Sequence, residues 1–167
     1  MSDQLPRSPH YSPRTGLPLI PKGPPLPTDR CGQPAPPALL LAVQQFNQGQ
    51  YWDAHETLEG LWRGEQDPVR SLYQGILLVG VGLHHLLRGN YHGATTKLRA
   101  GLERLTPYAP RCQGINVAVL LTGARRCLQA VTDVGPAAIN VFDRALIPTI
   151  LLDAPDGPND VLPPASS

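Results

Sequence analysis

Within residues 51–62, YWDAHETLEGLW, His55 and Glu59 stand four positions apart, so a helix projects their side chains next to one another. One carboxylate with two imidazoles is an ordinary ligand set for zinc, manganese or iron, and His84 and His85 are candidates for the second imidazole. Glu56, beside His55 in an H-E-x-x-E string, would then stand as general base toward a metal-bound water, as the glutamate of H-E-x-x-H does. The chemistry so written is metal-dependent hydrolysis of a small substrate. Two departures are plain: Glu59 occupies the place of the second histidine of that string, and Trp52 and Val81 stand where a dinuclear carboxylate centre needs glutamates three residues before His55 and His84. The same residues support two other readings. In one, Glu59 accepts a hydrogen bond from His55 or from a histidine of the next helix, and Gln74 completes a polar network that sets helix register. In the other, Tyr51, Trp52, Trp62 and Tyr73 line a ligand pocket, although tryptophans at helical spacing are read first as core.

These side chains must be positioned by helices. With His55 at zero on a wheel of about 100° per residue, Tyr51, Leu58, Glu59 and Trp62 fall within roughly 60° of it. The histidine therefore lies near the centre of the apolar face. A first helix is expected from Leu39, Ala42, Val43 and Phe46, after Pro36 and Pro37 and before Gly49. The second runs from about Tyr51 to Arg63, and the third from beyond Pro68 to about Arg88. Gly75 and Gly82, seven apart on that third helix, let a neighbouring backbone approach. A fourth carries Ala94, Leu98, Gly101, Leu102 and Leu105. A fifth, capped by Asn116, ends at Gly135 and Pro136. The strings GQYWDA and GNYHGA share G-x-Y-x-x-A at an offset of forty residues, each at a turn between helices, a sign of two helical hairpins.

The ends read differently from the middle. Of 20 prolines, 11 fall in residues 1–37 and four more in 155–164, so residues 1–37 and 154–167 are expected as disordered, proline-rich tails. Residues 38–135 form the bundle, and residues 136–153, with the apolar LIPTILL, form an arm packed against it. A net charge of +1 creates no field that would gather nucleic acid. The uncharged run 71–87 is short and polar for a membrane span. Cys31, Cys112 and Cys127 are odd in number and lack a CxxC spacing; Cys112 and Cys127 are read as ordinary thiols in a reducing cytoplasm.

FNQGQYWDAHETLEGLWR followed by YQGILLVGVGLHHLLRGNYHGATTKLRAGLERL closely resembles the DUF309 family, small helical proteins of unknown function. The resemblance rests on Phe46, Gly49, Tyr51, His55, Glu56, Leu58, Glu59, Trp62, Gln74, Gly75, His84, His85, Gly89, Asn90, Gly93, Ala94 and Leu98, within residues 46–106. It implies a compact helical bundle, and some relatives carry the label of predicted metal-dependent hydrolase. The expectation is an all-α bundle of about five helices built from hairpins. Its function is either a His/Glu metal site supporting hydrolysis or a non-enzymatic interaction module with a protein partner. A homo-oligomer pairing through the glycine face of the third helix, or through the C-terminal arm, is the weaker option.

Overall fold

The computed structural model describes residues 28–153 of the chain. Of the tails expected over 1–37 and 154–167, residues 1–27 and 154–167 lie outside the described residues. Five helices make up the domain: α1 (Pro37–Asn47), α2 (Tyr51–Gly64), α3 (Arg70–Leu87), α4 (Tyr91–Leu105) and α5 (Val117–Val134). Proline opens α1, where its missing N–H costs no helical bond, and Leu39, Ala42, Val43 and Phe46 bury one stripe. The two repeated glycines do the same job: Gly49 (φ 77°) and Gly89 (φ 73°) take left-handed turns that a Cβ would strain. Asn90 and Asn116 cap the helices that follow, their side chains accepting from Gly93 N at 2.9 Å and Val119 N at 3.0 Å.

α3 is the centre of the molecule. A Cβ on Gly75 would meet the Leu105 side chain at 2.7 Å, one on Gly82 would meet Leu98 N at 3.0 Å, and one on Gly101 would lie 3.0 Å from both Gly75 O and Val79 N. α3 and α4 thus approach at backbone distance. The glycine face offered above to a second copy is occupied by α4 of the same chain, which removes that route to a homo-oligomer.

Two features were not anticipated. Arg111–Cys112 (β1) and Ile115–Asn116 (β2) form a small antiparallel hairpin turned by Gln113 (φ 46°) and Gly114 (φ 75°), both left-handed as a two-residue hairpin turn requires. The segment after α5 joins it: Asn116 N donates to Leu151 O, Asp153 N donates to Gly114 O, and Asn47 grips the backbone of Ile150 on both sides. The second is a correction at the cysteines. Cys112, expected as a thiol, is joined to Cys31 across 81 residues, which removes the premise from which a reducing compartment was inferred. Cys127 is a buried free thiol, its pKa pushed up to about 11 by burial. Residues 28–36 are accordingly part of the body. Thr28 donates to Asp67, Arg30 pairs with Glu65 and Asp67, and Gln113 N donates to Cys31 O. No helix among the described residues is long and apolar enough to cross a membrane.

Two glycine substitutions should move stability in opposite directions. Gly101→Ala, against backbone, should cost about 1–3 kcal/mol, whereas Gly60→Ala, with nothing within 4 Å, should gain up to about 1 kcal/mol in urea denaturation. Opening the Cys31–Cys112 bridge with dithiothreitol should lower the same stability by about 2–5 kcal/mol.

Candidate functional site

The register between α2 and α3 follows from its two ends. Near the turn, the Arg70 guanidinium stacks 4.2 Å from the Trp62 ring centroid; at the far end, Gly80 faces Tyr51 and Phe46. Interpolating this antiparallel pairing places Gln74 between the levels of His55 and Glu59. Arg70, Gln74, Leu77, Val81 and His84 follow one another at four- and three-residue steps, a single stripe along α3. The stripe borders the side of α2 that carries His55.

His55 is 5 % exposed and Gln74 4 %. Trp52, one turn before His55, is 60 % exposed and lies nearly parallel to the imidazole, with ring centroids 5.3 Å apart and planes at 17°. His55 Nδ1 stands 3.9 Å from Glu59 Oε2, too far for a hydrogen bond. Glu59 is held instead by Arg63. Among the described residues, the buried side-chain nitrogens and oxygens without a partner are His55 Nδ1, His55 Nε2, Gln74 Nε2 and Arg70 Nε. All four belong to three residues of the paired helices α2 and α3. Each costs about 1–3 kcal/mol when left unpaired. Burial pushes the His55 pKa below its usual value, against the weaker upward pull of Glu59 and Glu56, so the ring is neutral near pH 7. A neutral imidazole carries one donor and one acceptor; Gln74 Nε2 and Arg70 Nε are donors only. The face is therefore rich in donors that lack acceptors.

The expected metal set does not assemble. His55 lies four residues from Tyr51 toward Trp62, and His84 lies four residues past Gly80 in the opposite direction. At ~1.5 Å per residue the two are on the order of 12 Å apart along the axes, whereas ligands of one zinc ion sit about 2 Å from it. His85 belongs elsewhere: its Nδ1 is 3.2 Å from Asn90 Nδ2, and its ring packs where a Cβ on Gly93 would be, at 2.7 Å. Among the described residues, no three His, Cys, Asp or Glu side chains come together to hold a metal ion. Glu56, the expected general base, is exposed and lines a separate shallow groove with Ala38, Thr57, Gly60, Leu61 and Gly64. His55 and Glu59 alone do not fit a metal centre.

The remaining residues divide. Tyr51 packs edge-on to Phe46, with ring centroids 5.4 Å apart, and Trp62 is buried beneath Arg70, so both are core. Tyr73 is fully buried and donates to Gln113 Oε1 at 2.6 Å, away from His55. Gln74, expected to close a satisfied network, leaves its amide nitrogen unpaired. Trp52, expected as core, is a surface ring. Arg70 is the site residue that sequence reasoning missed, although its place four positions before Gln74 was a readable signal.

A family model matches residues 39–96, from α1 into the second turn of α4, and describes DUF309, a domain of unknown function. No curated protein and no solved structure matches the chain.

If His55 is unpaired in the folded chain, His55→Leu should leave stability unchanged or raise it by up to about 1 kcal/mol. A loss beyond about 2 kcal/mol would mean that the ring is bonded. A pH series carries the same information. The folded pKa of His55 is depressed, so the unfolded state binds the proton first, and the stability present above pH ~6.5 is lost as pH falls below it. His85, depressed chiefly by burial, contributes in the same direction. The difference between wild type and His55→Leu should therefore isolate the His55 slope.

Proposed function

Residues 39–96 belong to the DUF309 family, whose activity is unassigned, and we propose that here the domain is a non-enzymatic binding module. Its site is the α2–α3 face, and its ligand is an extended peptide segment rich in free carbonyl acceptors. The observation that carries this reading is the group of unpaired buried atoms, His55 Nδ1 and Nε2, Gln74 Nε2 and Arg70 Nε, beside an exposed Trp52. An extended or polyproline backbone is the complement of such a face. It has no internal hydrogen bonds, so its carbonyls are available, and prolines prefer a flat aromatic ring such as an indole. These atoms are closed to solvent in the free domain, so the side chains of His55 and Gln74 turn outward to meet the ligand, and the pairing they gain in the complex gives the ligand its selectivity.

Hydrolysis is less well supported, because Glu56 lines a shallow groove to which His55 does not contribute, and two donors do not make a metal site. The two readings separate in one titration. Decaproline, all acceptors and almost no donors, should change Trp52 emission saturably. Gln74→Leu should weaken that binding about 5- to 30-fold, the equivalent of one hydrogen bond of roughly 1–2 kcal/mol. Trp52→Ala should abolish the signal. Near-stoichiometric zinc, manganese or iron that disappears in His55→Ala, with no response to decaproline, would overturn the proposal in favour of a metal site.

A further inference from the structure

We infer that the Cys31–Cys112 bond is a redox latch: once a dithiol reduces it, the strap of residues 28–34 leaves the body while the five helices stay folded.

Little else holds the strap. None of residues 28–34 is buried, and Cys31 is the one among them that packs against the apolar core. The other attachments are the Thr28 hydrogen bond to Asp67, the Arg30 ion pairs to Glu65 and Asp67 at 2.9 and 3.3 Å, and Gln113 N donating to Cys31 O at 2.8 Å. The Arg30 side chain is 39 % exposed, so water screens its pairs. Each such contact offsets no more than the ordering of about one residue's backbone, and seven residues must be ordered. The covalent bond is what tips that balance toward docking.

Both surfaces beneath the strap keep bonds of their own. In the α2–α3 turn, Asp67 N donates to Glu65 Oε1 at 2.9 Å and Val69 N donates to Asp67 Oδ1 at 2.8 Å. At the hairpin, β1 pairs with β2, Asp153 N donates to Gly114 O, and Tyr73 donates to Gln113 Oε1. α1 begins at Pro37 on its own buried stripe, and the matched family residues 39–96 include neither cysteine of the bond. Opening is thus confined to the strap.

Cys31 keeps some exposed surface, whereas Cys112 has none, so attack enters at Cys31 Sγ. One thiolate of the dithiol bonds to that sulfur, the S–S bond breaks, and Cys112 leaves with the electron pair and takes up a proton. The second thiolate then attacks the mixed disulfide, closes the reductant's own disulfide and releases Cys31, which is protonated in turn. Two electrons and two protons reach the chain. Cys127 takes no part, because it is fully buried and its pKa, pushed up to about 11, keeps it a thiol at neutral pH. The open state differs in charge as well as shape: Glu65 and Asp67 lose the guanidinium that pairs with both, and Gln113 N–H loses its acceptor.

Arg30 supplies the readout, because the Arg30–Cys31 peptide bond lies in a 3-10 turn that trypsin must open to cut. The full chain is reduced with dithiothreitol in the absence of denaturant and capped with iodoacetamide; Cys31 should be capped and Cys127 spared. Cleavage after Arg30 should then run at least about tenfold faster than in the oxidised chain, with cleavage after Arg99 and Arg125 unchanged. Oxidised glutathione, added to the uncapped reduced chain, should restore slow cleavage. Cys31→Ser should be cut at the fast rate with or without reductant. Unchanged cleavage after Arg30 on reduction, or a bond that dithiothreitol opens only in denaturant, would overturn the latch. So would capping of Cys127 together with faster cleavage after Arg99 and Arg125, which would make the bond a brace of the whole body.

Discussion

The close approach of α3 and α4 is the constraint on which everything else depends. Gly75, Gly82 and Gly101 remove the side chains that would hold the two backbones apart, and Leu98, Leu105 and Val79 fill the space instead. Because that contact takes one whole side of α3, α2 must pack on the other, with Gly80 against Tyr51 and Phe46. What remains of α3 at the surface is a narrow strip. Arg70, half-buried, opens that strip, whereas Gln74 one turn further on is buried, as is His55 on α2. Site geometry is thus a residue of core packing: shift α3 by one position and Gln74 rotates by about 100° into the α4 contact.

Such a face is maintained against a cost. Two buried residues, His55 and Gln74, and the half-buried Arg70 carry unpaired polar atoms that oppose folding by several kcal/mol at about 1–3 each, in a domain whose net stability is of the order of 5–15. An apolar trio of similar volume would destabilise less, and the rest of α3 shows that the chain supplies apolar residues freely: Leu72, Ile76, Val79 and Leu83 are all fully buried. A buried polar group without a protein partner is completed by an ordered water, an ion or a ligand, or it stores strain. Among the described residues no third metal-type donor joins them, which points that completion toward hydrogen bonding instead of coordination.

The helices were legible because each carried both a period and a stop. Asn116, polar and directly ahead of an apolar period, reads as a cap, and it is one; the glycines of the two G-x-Y-x-x-A strings read as turns, and both adopt positive φ. Pairwise relations across the fold were not legible. A wheel places His84 on a definite face of its helix but says nothing of its level against α2, and the level is what separates it from His55. Trp52 was misplaced for a related reason: about 60° from His55 on the wheel is core if a helix covers that side and surface if none does. β1 and β2, two residues each, are too short for an alternating pattern to register. The Cys31–Cys112 bridge joins residues 81 apart, beyond the reach of any spacing rule.

That bridge and the α2–α3 turn bear on the same question from opposite sides. A chain end that is merely adjacent to a surface loses considerable entropy when it docks; one already fixed two or three residues away has lost most of it in the folding of the body. Thr28, Arg30 and Cys31 fix the N-terminal segment at three points through a hydrogen bond, an ion pair and a covalent bond. None of these is needed to hold α1, which has its own buried stripe and begins six residues after Cys31. Their joint effect is to fix residues 28–31 against both the α2–α3 turn and the β1–β2 hairpin.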